Sequence, residues 1–282
     1  MKAHSAYSNQ GSRRFPLGFV GLMLLLVSAR LSGGQQTTLL AKEDVRRFLL
    51  SGEIIKGEEI GKGLTHPWRL TLTDGSLTHD ASFQDVDIQT QEAGFAGGGR
   101  ELNFRDSYHY NIAAYELACL LGLDDMIPVT VEREWRGKKG SLSWWVDAKW
   151  DGEERQKKGL IPPDTHAWNG QMHKVRVFSQ LVYDTDRGNP QNILISEDWR
   201  IWMIDFSRAF RTIRKLQDAK ELLKCDRALF DRLRGLARDD VARAVGGHLT
   251  KWETDALMSR RDLIVAHFHK LIAEKGESQI LY

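Results

Sequence analysis

Apolar residues recur at helical spacing over residues 38–50, where Leu39, Leu40, Val45, Phe48 and Leu49 form one stripe and predict an amphipathic helix. The period then drops to two. Residues 53–60 read as a strand leading into Gly61-Lys62-Gly63-Leu64-Thr65, and Trp68 to Leu72 alternates strictly. Asp74-Gly75 marks a hairpin turn, and alternation resumes over residues 81–88. Gly94 to Gly99 reads as a glycine-rich connection. Helical spacing returns over residues 108–123, with Ile112, Ala113, Tyr115, Leu117, Leu120 and Leu121 apolar and Gly122 closing the helix. A second strand pair, 127–132 and 141–146, flanks Gly137-Lys138-Lys139-Gly140.

Beyond Trp150 the pattern turns helical. Pro162-Pro163 precedes a helix over 167–183, with Met172, Val175, Phe178 and Leu181 on one face. One hairpin interrupts: Ile193-Leu194-Ile195, a turn at Glu197-Asp198, then Ile201-Trp202-Met203-Ile204. Phe178, Leu181, Ile193, Leu194, Met203 and Ile204 are the expected core here. Residues 213–274 read as three or four helices. A strand-rich first half and a helix-rich second half predict an α+β fold of two lobes, 30–147 and 148–282. The length, 282 residues, allows two lobes around a cleft.

The first 29 residues change the picture of where the chain works. Lys2, Arg13 and Arg14 give a basic start, no acid precedes Glu43, and residues 15–27 are apolar. That run is shorter than the roughly 20 residues that span a bilayer, and Ser28-Ala29 offer small residues for cleavage. It reads as a signal peptide, with an uncleaved membrane anchor as the alternative. Ser12-Arg13-Arg14-Phe15 leaves twin-arginine export open beside the general route. The protein is therefore expected to be exported, periplasmic or secreted, with no membrane span in the mature chain. Cleavage after Ala29 removes three cations and no acid, so a formal charge of +2 becomes −1. A near-neutral chain has no electrostatic footprint for nucleic acid, which is excluded as a partner. The two cysteines, Cys119 and Cys225, lack zinc-site spacing and read as small packing residues, one long-range disulfide being the alternative.

Candidate chemistry sits in Asp184-Thr185-Asp186-Arg187-Gly188-Asn189-Pro190-Gln191-Asn192 and in Met203-Ile204-Asp205-Phe206. A turn rich in Asp and Asn feeds a hairpin whose second strand ends on another Asp. Phosphoryl transfer uses such a set: one carboxylate orients the attacking hydroxyl, while an Asn and a second carboxylate hold Mg²⁺ against the phosphates. Local turn capping by Asp and Asn is the plainer explanation of the same residues.

These segments resemble the protein-kinase-like superfamily in its atypical branch: type II phosphatidylinositol 4-kinases, HipA-type kinases and secretory-pathway casein kinases. Thr185-Asp186-Arg187-Gly188-Asn189 is similar to the lipid kinases' catalytic loop, and Met203-Ile204-Asp205-Phe206 to the metal-binding strand end. Ile112-Ala113-Ala114-Tyr115-Glu116-Leu117, Leu121-Gly122-Leu123 and Ile127-Pro128-Val129 resemble the first-lobe helix and next strand of HipA-type and secreted kinases. Gly140-Ser141-Leu142 resembles the strand leading to their hinge. The resemblance covers roughly residues 53–212. It implies ATP and Mg²⁺ or Mn²⁺ as cofactors and a hydroxyl-bearing substrate. Asp186 would be the catalytic carboxylate, Asn192 and Asp205 the metal ligands, and Gly61, Gly63 and Gln84 the phosphate contacts.

Three positions depart from the pattern. Kinases place the Asn five residues after the catalytic Asp, whereas Asp186 to Asn192 is six and Asp184 to Asn189 is five, so two registers compete. The first is preferred because Asn192 abuts the apolar strand. Gln84 stands where the phosphate-pairing Lys belongs, and a neutral amide cannot neutralise phosphate charge. Asn111 stands where the helix should carry the partner Glu. The expectation is an exported atypical kinase acting on a protein, lipid or glycan hydroxyl. The alternative is a catalytically silent, kinase-fold binding module of the cell envelope (a pseudokinase).

Overall fold

The computed structural model describes residues 40–61, 67–94 and 100–282, with the backbone alone at 101 and 102. The expected signal peptide, Gly63 and the Gly97-Gly98-Gly99 run lie outside these residues. Helix α1 (Lys42–Ser51) carries Glu43 and Asp44 in its first turn, where they complement the helix dipole. Val45, Phe48 and Leu49 form its buried face, whereas Leu40, expected in that stripe, is exposed. Strands β1 (Glu53–Glu59), β2 (Trp68–Thr73) and β3 (Thr78–Gln84) form a meander, turned between β2 and β3 by Asp74 and Gly75. Asp74 Oδ1 accepts from the Ser76 and Leu77 N–H groups at 2.9 and 2.8 Å.

The chain then leaves this sheet. The strand expected over 81–88 is cut at Asp85-Val86, and a separate hairpin follows, β4 (Asp87–Gly94) with β5 (Arg100–Ser107). The break has a local cause: the Val86 carbonyl accepts from the Tyr108 N–H at 2.7 Å instead of joining a ladder. Helix α2 (His109–Leu121) is apolar almost all round, as a helix packed on both sides must be, and Gly122 ends it at φ +65°. Strands β6 (Thr130–Trp135) and β7 (Lys138–Trp144) meet at Arg136-Gly137, both with positive φ, as a two-residue hairpin requires. Gly140, expected in the turn, lies inside β7, where a Cβ would stand 2.4 Å from the Gln84 carbonyl. The large sheet is antiparallel in the order β1-β2-β3-β7-β6, and α1 and α2 pack against its β6 and β7 strands.

A five-residue connection leads from β7 to β8 (Trp150–Asp151), α3 (Gly152–Lys157) and α4 (Thr165–Val182). Asp164 caps α4 by accepting from His166 and Ala167 N–H, both at 2.9 Å, so the helix starts earlier than its apolar face suggests. Strands β9 (Ile193–Ile195) and β10 (Ile201–Met203) form the expected hairpin and take β8 as a third strand. Helices α5 (Arg227–Gly235), α6 (Arg238–Val245), α7 (Lys251–Lys275) and the single turn α8 (Glu277–Ile280) complete the chain. Among the described residues no helix is long and apolar enough to cross a membrane.

Phe178, Leu181, Ile193 and Met203 are buried in the second-lobe core as expected. Leu194 and Ile204 are not: both are half-buried and face a cleft. In β9 burial alternates, so Ile193 and Ile195 point inward and Leu194 points the other way. The Arg260 guanidinium is wholly buried in α7 and donates to the carbonyls of Leu181, Arg211 and Ile213. Both thiols are free, Cys225 fully buried and Cys119 partly.

Candidate active site

A cleft of about 940 Å³ lies between the large sheet and the β9–β10 hairpin, roofed by the connection after Trp144. Gln84 and Asn111 line its sheet side, and Asp186, Asn192 and Asp205 line the opposite side. The order of elements brings these five together: the end of β3, the start of α2, the loop before β9, and the two hairpin ends.

The loop after α4 is held from within. Tyr183 takes φ +51°, turning the chain, and Asp184 is sealed behind it with no exposed side-chain surface. Asp184 Oδ1 accepts from the Asp186 N–H at 3.0 Å, and Arg187 binds Oδ2 through Nε at 2.7 Å. Arg187 also donates to the carbonyls of Asn192 at 2.8 Å and Ile204 at 3.2 Å, and its guanidinium lies over the Phe206 ring. One cation thus ties the loop to both strands of the hairpin. Asn189 caps the following turn through the Gln191 N–H. Both members of the five-residue register, Asp184 and Asn189, are therefore engaged in holding backbone.

Asp186 and Asn192 meet at the cleft. Asn192 Nδ2 donates to Asp186 Oδ2 at 2.9 Å, which leaves the amide carbonyl as the atom that could ligate a cation. Arg208 approaches Asp186 Oδ1 at 3.6 Å. Asp205 stands at φ +55°, a conformation that most side chains avoid, and its Oδ1 accepts from the Ser207 hydroxyl at 2.9 Å. Burial, then the neighbouring carboxylates Asp106 and Asp186, push the Asp205 carboxyl above its ordinary range.

Asp106 escaped the sequence reading. It stands one residue before the end of β5, is buried, and lines the same cleft, yet its Oδ1 has no hydrogen-bond partner. Burial also pushes its carboxyl up, against the pull of Ser207, Arg208 and Arg211. The only sequence signal was an acid just before α2, where a helix cap would look the same.

On the sheet side the two departures from the kinase pattern touch each other. Asn111 Nδ2 donates to Gln84 Oε1 at 2.6 Å and to Ser141 Oγ at 3.1 Å. Asn111 Oδ1 accepts from the Phe206 N–H at 2.7 Å, next to Asp205. With Oε1 already accepting from Asn111, the Gln84 Nε2 is the group that can donate to a ligand. Gly61 follows β1 with open space around it and does not line the cleft, although Ile60 does. Trp144 lines the cleft but also stacks on His79 at 3.5 Å and meets Phe48 edge-on.

The three carboxylates and one amide offer hard oxygen donors of the kind Mg²⁺ and Mn²⁺ take. The unpartnered Asp106 Oδ1 and the mutual repulsion of Asp106, Asp186 and Asp205 fit a site that a cation would complete.

No protein-family model and no curated relative matches the sequence. Solved structures do match. The structure of hydra Fam20 with sugar superposes at a TM-score of 0.61 with 14% identity, covering 85% of this chain and 91% of that one. A crystal structure of the Golgi casein kinase superposes at 0.60 with 12% identity, over 85% of this chain and 77% of that one. The same kinase with Mn/ADP bound gives 0.59 and 11%, over 85% and 78%. At such identities the likeness speaks for fold alone, and it speaks plainly: this chain carries an atypical protein-kinase-like fold, with a strand-rich first lobe and a helical second lobe.

Proposed function

We propose that this chain is an exported kinase of the atypical branch, moving the terminal phosphate of ATP to a protein, lipid or glycan hydroxyl. The observation that carries the reading is the Asp186–Asn192 hydrogen bond at the cleft, with Asp184 spent on Arg187 behind it. In this reading Asp186 orients the acceptor hydroxyl, with the Arg208 guanidinium 3.6 Å from its Oδ1. Asn192 and Asp205 hold Mg²⁺ or Mn²⁺, with Asp106 as a third oxygen donor. The bound cation would neutralise phosphate charge. Gln84 would donate to a phosphate oxygen. The hinge falls near residues 147–148. The fold match to a kinase with Mn/ADP bound supports the choice of nucleotide and metal. Export rests on the basic start and short apolar run of the first 29 residues.

A specific observation favours a second reading. Where catalysis would use a Lys–Glu ion pair, Gln84 and Asn111 form a neutral amide pair. A silent nucleotide-binding module would keep the cleft and lose the charge. Calorimetric titration of the purified protein with ATP and Mn²⁺, followed by mass analysis of the protein and of added acceptors, separates the two. Binding with a gain of phosphate mass supports the kinase; binding without transfer to any acceptor leaves the silent module; no binding sinks both.

A further inference from the structure

His109, Glu132 and His248 come from three separate elements and converge at half-buried positions that are not part of the cleft lining. Each offers a ligand atom, and these atoms lie within 4.8 Å of one another. His109 opens α2, Glu132 lies in β6, and His248 ends the short turn Gly246–His248 between α6 and α7. The two histidines face each other through Nδ1, 3.0 Å apart. We propose that these three residues bind a zinc-class divalent cation that pins the start of α2 to the sheet and to the C-terminal helices.

The donor chemistry fits. Two imidazoles and one carboxylate with a fourth position open to water form a common tetrahedral zinc set. Zinc bonds of about 2.0–2.1 Å in that geometry separate neighbouring ligand atoms by roughly 3.3 Å. The histidine nitrogens are already near that value, and rotation of the Glu132 side chain covers the rest. A direct contact between two Nδ1 atoms satisfies only one proton, whereas a cation uses both lone pairs.

An outer shell is present as well. The Tyr108 hydroxyl donates to Glu132 Oε2 at 3.4 Å and would hold that carboxylate toward the ion. Lys139 pairs with Glu132 at 3.3 Å, but its side chain is 65% exposed and can swing clear. The backbone on either side of the histidines is fixed independently. The Tyr110 hydroxyl, next to His109, bonds Glu253, which also accepts from Arg105 at 3.1 Å. Glu253 lies in the capping box that starts α7, just after His248. The ligands therefore need no large rearrangement to meet an ion.

The position matters because Asn111 stands two residues along α2 and holds the backbone beside Asp205. An ion at His109 would stiffen the helix that sets the cleft's sheet side. Cation binding by these three residues does not require the proposed kinase activity.

The test uses the full chain, stripped with a chelator and titrated with Zn²⁺ against a chromophoric competitor, without nucleotide. One equivalent is expected to bind and to raise the melting temperature. His248→Gln and His109→Gln are expected to lose affinity by more than the 10–100-fold that an outer-shell change costs. Asp205→Asn is expected to keep the equivalent, showing that the ion is not in the cleft. No stoichiometric zinc in wild type, full binding by the double His→Gln variant, or loss in Asp205→Asn would each overturn the proposal. Should the His variants fail to fold, X-ray absorption of zinc-loaded wild type decides. Two imidazole nitrogens in the first shell support the site, and none refutes it.

Discussion

The two sides of the cleft are built on different principles. The side formed by the loop after α4 is charged: Asp184 and Arg187 pair in the interior, and Asp186, Asp205 and Asp106 stand in front of them. The sheet side is neutral: Gln84, Asn111 and Ser141 hold one another through amide and hydroxyl hydrogen bonds. A buried ion pair sets geometry but collapses when one partner is lost, whereas an amide pair carries little charge and tolerates change. The comparison separates what anchors a cation from what would grip phosphate. Here the first side presents three carboxylates and an amide oxygen, and the second a neutral amide network.

The largest effects are expected on the charged side. Asp205→Ala is expected to abolish metal-dependent nucleotide binding in calorimetry, because a cation ligand acts in the ground state as well as in the transition state. Asp186→Ala is expected to keep that binding and lower turnover by about 10²–10⁴-fold, the worth of a positioned base. If Asp186→Ala turns over normally, the six-residue register is wrong.

Asp184→Ala is expected to cost about 3–5 kcal/mol of stability in denaturant unfolding, since it strands Arg187 in the interior. A variant that unfolds like wild type would show that the loop does not depend on this pair. Within β9, Ile195→Ala is expected to cost about 2–5 kcal/mol and Leu194→Ala only about 1 kcal/mol, because Leu194 faces the cleft. Equal losses would contradict the alternation of that strand.

The smallest effect is expected on the neutral side. Gln84→Ala is expected to weaken nucleotide binding roughly tenfold, the low end of a hydrogen bond to a charged group. A loss of a thousandfold or more would make the sheet side the main grip and erase the contrast.

Much of the scaffold was legible in residue spacing. The apolar face of α2 and the β9–β10 hairpin stand where the helical and alternating patterns place them. The β4–β5 hairpin was not legible. Strand β4 is largely exposed and lacks an apolar face to read, and alternation runs unbroken through Asp85-Val86, where the chain changes sheets. Asp106 was missed with it, since it lies in β5. Leu194 was assigned to the core because its strand is apolar throughout; the period of two would have turned it outward. The role of Asp184 was hidden for another reason. That it is sealed against Arg187 depends on the packing of Phe206 and the hairpin carbonyls, which no local pattern carries.

Asp205 has one more consequence. At φ +55° the backbone is one that glycine would occupy at lower cost, by about 1 kcal/mol. Its carboxyl is also disfavoured by burial and by two neighbouring acids. A laboratory population of this protein selected for heat resistance alone would therefore drift toward Asp205→Gly or Asp205→Asn. The sturdiest descendants would be the ones that had discarded the Asp205 carboxylate, and its retention in a heat-selected pool would signal that the proposed cation binding was being selected too.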